Sequence, residues 1–368
     1  VYPIMRRCQA PDMAKRTSNY SYAAGLALLG AAALAAVLIL GPTGEESGAD
    51  LAIGPAPRQG MHEVRFEAMG TDGRIVAAVD DPRAARTALE AAVGAARQTE
   101  RLMSTYRPDS EVSRLNRLGA GRAMNLSEQT VEVLRKAREV SQLTGGAFDV
   151  TYAPLRNLWR NAEREGAVPS EEKLRLARLS VGWRKLRLEG GRASFAEKGM
   201  RVDLGGIAKG YGVDQAAEAL RGAGVRTALV DVGGDMRLLG TPDAAEGWRV
   251  QVRPPPGADA EIVLLLRSCA VATSGDYARG FRVGERWLSH VIDPRTGRPA
   301  ESASSVTVVA PDATTADALA TALSVMEPEE GLALVEEMAG IECLMFVRSK
   351  DGALVTHTSH GLNDLLAQ

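Results

Sequence analysis

VDLGGIAKGYGVDQ, residues Val202–Gln215, brings two acids, four glycines and one lysine into fourteen residues. Asp203 is predicted to end a strand, and a helix is predicted to begin shortly after Gly206. Gly205 and Gly206 allow a backbone to approach a ligand closely or to adopt a positive φ. The start of the helix directs free N–H groups and a positive dipole end at the same place, which favours an anion such as phosphate. A strand-to-helix turn with a surface lysine is the alternative interpretation.

Two better-known glycine motifs are excluded by the residues that follow the glycines. The segment Gly205–Gly210 has the spacing of a P-loop, but Tyr211 and Gly212 stand where Lys and Ser or Thr are required. The dinucleotide fingerprint begins at Gly210, but Gln215 occupies the position of its third glycine. The stretch therefore indicates phosphate or nucleotide binding by a less common route.

Composition and charge describe a globular protein without a nucleic-acid footprint. The chain has 368 residues, of which 45% are hydrophobic, enough for one large core or two smaller ones. Its net charge is -2 and only 4% of its residues are aromatic, so neither a basic surface nor an array of stacking platforms is present. The three cysteines, Cys8, Cys269 and Cys343, form no CxxC pair and give no zinc signature.

The N-terminal part of the chain carries a targeting signal. Residues 23–40 form an uncharged run of eighteen residues, near the lower limit for a membrane-spanning helix, and the basic segment 1–22 precedes it. The positive-inside rule keeps that segment in the cytoplasm and places the rest of the chain on the extracytoplasmic (periplasmic) side. A cleaved signal peptide is the alternative, because the run is rich in alanine. Residues 41–62 are predicted to be a linker, and residues 63–368 the folded domain.

Predicted strands cluster in the middle of the chain, with helices before and after them. Pro82 is predicted to open one helix, and Ser127 and Ser170 are predicted N-caps of two others. Ala147–Leu155 is predicted to be a short strand that carries Asp149. This order of elements predicts an α+β fold instead of strict βαβ alternation.

Two further groups of residues have the chemistry of a reactive site. Asp317 and Thr321 lie four residues apart in the helix predicted over Asp312–Met326, so they share a face. A carboxylate and a hydroxyl are hard oxygen ligands that suit Mg²⁺, although an Asp favoured by the helix dipole and a packed Thr would look the same. His290, in one turn with Asp293, could act as acid, base or phosphate partner, or could be a structural histidine.

Eight segments, taken together and in order, resemble the ApbE-like flavin transferases, also called FAD:protein FMN transferases. Each segment alone is weak, but eight in the family's order are highly specific. They extend from about Phe66 to near the C-terminus. The segments are MGT (Met69–Thr71), YRPDSEVSRLN (Tyr106–Asn116), TGGAFDVT (Thr144–Thr151), VDLGGIAKGYGVD (Val202–Asp214), VDVGGD (Val230–Asp235), ATSGDY (Ala272–Tyr277), HVIDPRTGRP (His290–Pro299) and DATTADALATAL (Asp312–Leu323).

The resemblance implies a fold and a set of site residues. The implied fold is α+β and T-fold-related, with mixed, mostly antiparallel sheets and packed helices, here preceded by the N-terminal membrane helix. Mg²⁺ would be held by a main-chain oxygen of Gly206 and by the side chains of Asp317 and Thr321. The implied FAD contacts are Met69, Tyr106, Ala147, Phe148, Asp149, Asp203, Lys209 and His290.

The resemblance also implies the reaction. The family transfers the FMN half of FAD to a Thr or Ser hydroxyl of a partner protein, here an electron-transfer protein, and releases AMP. This phosphoryl transfer needs a metal ion, a positioned cation and a proton acceptor. The implied catalytic residues are Asp317 at the metal, Lys209 as the cation, and His290 or a site acid as the proton acceptor. An FAD pyrophosphatase that yields FMN and AMP, and a non-catalytic FAD-binding protein, are the alternatives.

Overall fold

The computed structural model describes most of the predicted domain. The described residues are 51, 53–55, 60–242, 247–258, 261–275, 280–301, 303–349 and 351–367. The predicted basic segment, the predicted membrane span at 23–40 and most of the predicted linker lie outside them. Among the residues that are described, no helix combines the length and the apolar character needed to cross a membrane.

Helices begin where the capping residues predict. The described α-helices are α1 (Pro82–Met103), α2 (Glu111–Leu118), α3 (Glu128–Leu143), α4 (Ala153–Glu165), α5 (Glu171–Leu179), α6 (Ala208–Gly222), α7 (Ala313–Leu323) and α8 (Pro328–Glu336). Ser127 and Ser170 are the N-caps of α3 and α5, and Pro82 is the first residue of α1. These three predictions are confirmed.

The described strands form one large antiparallel sheet and three small ones. The strands are β1 (Ile53–Pro55), β2 (Met61–Ala68), β3 (Thr71–Ala78), β4 (Met124–Asn125), β5 (Leu186–Glu189), β6 (Arg192–Phe195), β7 (Ala228–Val232), β8 (Asp235–Leu239), β9 (Trp248–Val252), β10 (Ile262–Leu266), β11 (Ala270–Gly275), β12 (Gly280–Val283), β13 (Arg286–Ser289), β14 (Ser305–Ala310), β15 (Glu342–Arg348) and β16 (Leu354–Thr358). The large sheet has nine strands in the order β1-β2-β3-β7-β8-β11-β14-β15-β16. Every neighbouring pair in it is antiparallel, so the predicted α+β class with antiparallel sheets is confirmed.

The large sheet is covered on both faces. Successive side chains of a strand point to opposite faces; accordingly, Val308 and Val309 of β14 belong to different hydrophobic clusters. The face of Val308 packs against α7, and further along the sheet against α1 and α6. The face of Val309 packs against the β9–β10 hairpin. The sheet therefore holds α6 and α7 side by side on one face, where both contribute to the site described below.

Two predicted strands are not strands. Ala147–Leu155 is a chain of turns that runs into α4, because the Asp149 carboxylate accepts the Thr151 N–H at 2.8 Å and folds the backbone back on itself. Val202–Leu204 is irregular as well. The side-chain amide of Asn116 accepts the Val202 N–H at 2.7 Å and donates to the Val202 carbonyl at 2.8 Å, in place of a neighbouring strand.

Candidate active site

One cavity collects nearly all of the predicted site residues. It has a volume of about 710 Å³, within the range of small-molecule and cofactor sites. Ten of the eleven predicted residues line it: Met69, Tyr106, Ala147, Phe148, Asp149, Asp203, Gly206, Lys209, His290 and Thr321. The eleventh, Asp317, is outside the lining but contacts the Lys209 side chain.

Turns and helix starts supply most of this lining. The predicted residues in it come from the β2–β3 turn, the loop after α1, the α3–α4 loop, the segment before α6, the first turn of α6, the residue after β13 and the last turn of α7. Loops held by a rigid scaffold are the usual carriers of binding residues. The nine-stranded sheet and its helices bring these distant segments to one place.

Met69 occupies a strained position at one wall of the cavity. It forms a two-residue hairpin turn with Gly70, and both have positive φ, 54° and 71°, as the type I′ hairpin turn requires. A positive φ is uncommon for a residue other than glycine. The Met69 N–H donates to Glu100 Oε2 at 3.0 Å, which holds the turn in place. A Cβ on Gly212 of α6 would lie 2.7 Å from Met69 Cε, so this glycine makes room for the methionine.

The Asp149 carboxylate is occupied by the protein itself. Its Oδ1 accepts the Thr151 N–H at 2.8 Å and the Thr151 hydroxyl at 2.6 Å, and its Oδ2 accepts the Trp183 N–H at 2.8 Å. Burial raises the pKa of Asp149, against the opposing effect of these hydrogen bonds. The carboxylate thus fixes the loop whose residues Ala147 and Phe148 line the cavity. A contact of Asp149 with a flavin stays a prediction.

Asp203 is a buried acid paired with an arginine that the sequence reasoning missed. The Asp203 side chain is 5% exposed, and it forms a salt bridge with Arg156 of α4. Its Oδ1 accepts the Gly205 N–H at 2.7 Å. Gly205 and Gly206 are not among the positive-φ residues. Their predicted use in a positive φ is therefore wrong. The Gly206 backbone lies close to a side chain of the protein, since a Cβ on Gly206 would lie 2.9 Å from Thr321 Oγ1, and its approach to a ligand stays a prediction.

Lys209 lies between two carboxylates. Its ammonium group donates to Asp235 Oδ2 and lies 3.4 Å from Asp317 Oδ1. Asp235 is 1% exposed, and burial together with the negative charge of Asp317 raises its pKa, although Lys209 opposes the shift. Asp235 ends the VDVGGD segment and was not predicted as a site residue. The buried Lys209–Asp235 pair needs both its members, because loss of one leaves an uncompensated charge.

The oxygen donors of the predicted metal site lie where α6 begins and α7 passes it. The Gly206 backbone packs against the Thr321 side chain, and Asp317 Oδ2 accepts the Gly210 N–H at 3.1 Å. A carboxylate, a hydroxyl and a main-chain carbonyl are the hard donors that Mg²⁺ takes, completed by water and phosphate. The residues therefore fit such an ion. Across the described ranges, no group of three or more His, Cys, Asp or Glu side chains is arranged to hold a metal. The predicted site would use only one such side chain, that of Asp317.

Helix α4 adds two arginines to the cavity. Arg156 and Arg160 are four residues apart and both line it. Arg160 donates to the Tyr106 hydroxyl at 2.7 Å, and its guanidinium carbon lies 5.7 Å from the centre of the tyrosine ring. This hydrogen bond lowers the pKa of Tyr106. The i, i+4 spacing of Arg156 and Arg160 was the one feature of the sequence that could have indicated them as site residues. The spacing shows that they share a helix face, but not which face of the helix meets the cavity.

His290 and Asp293, three residues apart in the predicted turn, have different surroundings. His290 follows β13 and lines the cavity, half-buried. The Asp293 carboxylate instead accepts from the N–H and the Nε of Arg295, at 2.8 and 3.0 Å, so it stabilises the predicted turn. Part of another predicted segment, ATSGDY, is in β11, whereas residues 276–279 lie outside the described residues.

The fold and the cavity first define a class: an α+β protein whose glycine-rich helix start, partly buried lysine and two arginines suit a phosphorylated ligand. Comparison with known proteins then gives the family. Residues 69–345 match the ApbE family, and the chain belongs to it. The family predicted from the eight sequence segments is confirmed.

Relatives of known name are similar over most of their length. The FAD:protein FMN transferase of Vibrio cholerae is 40% identical over 255 residues, 68% of this chain and 76% of the relative. The FAD:protein FMN transferase of Haemophilus influenzae is 33% identical over 274 residues, 72% of this chain and 79% of the relative. Among solved structures, the ApbE protein of Thermotoga maritima matches with a TM-score of 0.75 and 32% identity, over 84% of this chain and 100% of that one.

Proposed function

We propose that the protein is an FAD:protein FMN transferase, which moves the FMN part of FAD onto a Thr or Ser hydroxyl of an electron-transfer protein and releases AMP. Membership of the ApbE family and the names of the relatives support the transferase activity. The observation that carries the proposal is the single cavity in which ten predicted residues from separate segments meet. Its volume suits a large part of a dinucleotide.

The reaction exchanges one phosphate bond for another. The acceptor hydroxyl oxygen attacks the phosphorus of the FMN half, the bond from that phosphorus to the bridging oxygen breaks, and AMP leaves with that oxygen. The hydroxyl proton passes to His290 or to a carboxylate of the site. An imidazole is the side chain that most readily exchanges a proton near neutral pH. Lys209 and the arginines of α4 supply positive charge beside the diphosphate.

The proposal includes Mg²⁺, which Asp317, Thr321 and the main chain of Gly206 would hold and which, when bound, neutralises charge on the diphosphate. Asp317 also accepts the Gly210 N–H, so truncation to alanine would remove both roles at once. Asp317→Asn keeps an oxygen for that N–H and removes only the charge. We expect it to abolish metal-dependent transfer while leaving the melting temperature near that of wild type. Asp312→Asn, on the same helix but not among the predicted ligands, is the matched control, and full activity of Asp317→Asn at ordinary Mg²⁺ would refute the ligand assignment.

Mass spectrometry separates the proposed activity from its alternatives. The full chain is incubated with FAD, Mg²⁺ and an electron-transfer protein that carries an exposed threonine, with the Thr→Val acceptor as control. We expect the mass of a covalent FMN on the threonine acceptor only, together with one AMP per transfer. Free FMN and AMP with no labelled acceptor would instead identify a pyrophosphatase. Unchanged FAD with a range of such acceptors would identify a binding protein and would overturn the proposal.

We further propose that residues 23–40 anchor the chain in the cell membrane by a single pass, with the catalytic domain on the periplasmic side. The uncharged run and its basic flank support this placement. The intact mass of membrane-extracted protein tests it. Loss of the first ~40 residues would show a cleaved signal peptide in place of the anchor.

A further inference from the structure

Helices α6 and α7 cap each other. The first turn of a helix has N–H groups without intrahelical partners, and α6 has no side-chain cap at its own N-cap residue, Ile207. Asp317 of α7 supplies one, since its Oδ2 accepts the Gly210 N–H at 3.1 Å. In return, Asp214 of α6 accepts from the start of α7. Each helix therefore stabilises the end of the other that faces it.

Asp214 makes three hydrogen bonds to the first two residues of α7. Its Oδ1 accepts the Ala313 N–H at 2.9 Å, and its Oδ2 accepts the Thr314 N–H at 2.8 Å and the Thr314 hydroxyl at 2.6 Å. The Asp214 side chain is only 16% exposed, and the buried guanidinium of Arg237 lies 4.0 Å from it. Such charge-assisted bonds to backbone N–H groups are short and strong. Asp214 is thus a fixed point of contact between the two helices.

This contact lies one helical turn from the predicted metal ligand. Gly210 and Asp214 are four residues apart on α6, and Ala313 and Asp317 are four apart on α7, so each pair shares one helix face. Between the pairs the helices touch closely, because a Cβ on Gly210 would lie 2.1 Å from the Ala313 carbonyl oxygen. A shift of the first turn of α7 would therefore move Asp317 relative to the start of α6.

We propose that Asp214 is a positioning residue for the active site: by holding the first turn of α7 against α6, it sets where Asp317 and Thr321 present their oxygens to Gly206. This inference rests on the proposed function, since it assigns to Asp214 the geometry of the metal and diphosphate site. Asp214 and Lys209 of the stretch Val202–Gln215 then act on the same site, Lys209 directly and Asp214 through α7.

The test compares two carboxylates at the same helix start. Asp214→Asn replaces one accepting oxygen by an amide that faces an N–H donor, and so loosens the link between the helices. Asp312→Ala removes the N-cap of α7, whose Oδ1 accepts the Thr315 N–H at 2.7 Å, but leaves the link to α6 intact. The electron paramagnetic resonance signal of free Mn²⁺ gives the affinity of the full chain for Mn²⁺. This measurement requires no turnover. Mn²⁺ takes the same oxygen ligands as Mg²⁺.

We expect Asp214→Asn to weaken Mn²⁺ binding by about 10- to 100-fold, as residues that support metal ligands do, and to raise the Mg²⁺ concentration needed for half-maximal transfer, with kcat recovering at excess Mg²⁺. Asp312→Ala lowers the melting temperature but leaves the Mn²⁺ affinity near wild type. Thr314→Val, which removes only the hydroxyl bond to Asp214, shifts the affinity in the same direction by less, and serves if Asp214→Asn does not fold.

Three results would overturn the inference. Equal Mn²⁺ affinity in Asp214→Asn and Asp312→Ala, or a lower melting temperature in Asp214→Asn with unchanged Mn²⁺ affinity, would leave Asp214 a purely structural residue, while the proposed transferase function would stand. Absence of Mn²⁺ binding by wild type would refute the metal site itself, and with it this role of Asp214.

Discussion

Substitution of Gly210 by alanine tests the contact between α6 and α7 directly. An added Cβ would lie 2.1 Å from the Ala313 carbonyl oxygen, 2.6 Å from its carbonyl carbon and 2.9 Å from Asp317 Cβ. Ordinary van der Waals contact begins at 3.4 Å, so α7 would have to retreat from α6 by about 1 Å, because the close interior packing leaves no free space. Two of the three atoms belong to the backbone, so a change of rotamer cannot relieve the contact.

The free energy of unfolding should fall by about 2 kcal/mol. Alanine is better than glycine in a helix interior by about 1 kcal/mol, whereas overpacking against a rigid neighbour costs about 3 kcal/mol. The transfer rate should fall more steeply, because a displacement of about 1 Å at catalytic groups costs on the order of 100-fold. Asp317 and Thr321 move with α7, so the loss in rate exceeds what the stability change explains.

Urea unfolding and the rate of FMN transfer are measured on Gly210→Ala and on a control, Gly94→Ala. Gly94 is exposed within α1, and its added Cβ would meet no atom within 4 Å. The control should therefore be more stable than wild type by up to about 1 kcal/mol and fully active. A Gly210→Ala protein with the stability and rate of the control would show that the two helices are not in contact at this residue.

Three other substitutions test the walls of the site and one helix cap. In Gly212→Ala, the added Cβ would lie 2.7 Å from Cε of Met69, the flexible end of that side chain. The substitution should raise KM for FAD, while the free energy of unfolding stays within about 1 kcal/mol of wild type. An unchanged KM would contradict the role of Met69. Arg160→Leu removes the hydrogen bond that lowers the pKa of Tyr106, so the tyrosinate absorbance should appear at higher pH than in wild type, in a signal absent from Tyr106→Phe; an unshifted titration would contradict the contact. Ser127→Ala should cost about 1 kcal/mol in urea unfolding, since the hydroxyl accepts an N–H of α3, and no measurable loss would show that this cap contributes nothing.

Local signals in the sequence predicted the helix starts well. Ser127 and Ser170 bind N–H groups three residues ahead, so their effect is complete within one turn of the chain. Pro82 acts in the same local way. The α+β class also followed from the order of elements. The strand order of the sheet did not, because pairings such as β3 with β7 join residues that are more than a hundred positions apart.

The strand predicted over Ala147–Leu155 was wrong, and Asp235 was omitted from the site, because in both cases a distant residue decides the local structure. Phe148 and Val150 alternate with Asp149 as in a half-buried strand, and both are buried. The Trp183 N–H, 34 residues away, binds the Asp149 carboxylate and helps to hold a turn instead. Asp235 was overlooked as a site residue for a similar reason, since only the position of β8 beside α6 brings it to Lys209.

The stretch Val202–Gln215 predicted an anion at the start of α6. In the structure, a carboxylate of the protein itself, that of Asp317, lies there. The Asp317 carboxylate accepts an N–H of the first turn of α6, which is the position that a phosphate would otherwise favour. Because burial and the charge of Asp317 raise the pKa of Asp235, Lys209 and Asp317 alone carry a net charge of zero, and ionisation of Asp235 brings the cluster to −1. The cluster therefore offers no net positive charge to a diphosphate, whose own negative charge needs balancing in a partly buried site. That need is the physical reason for placing a divalent cation and the flavin diphosphate in one proposal, with the arginines of α4 supplying the remaining positive charge.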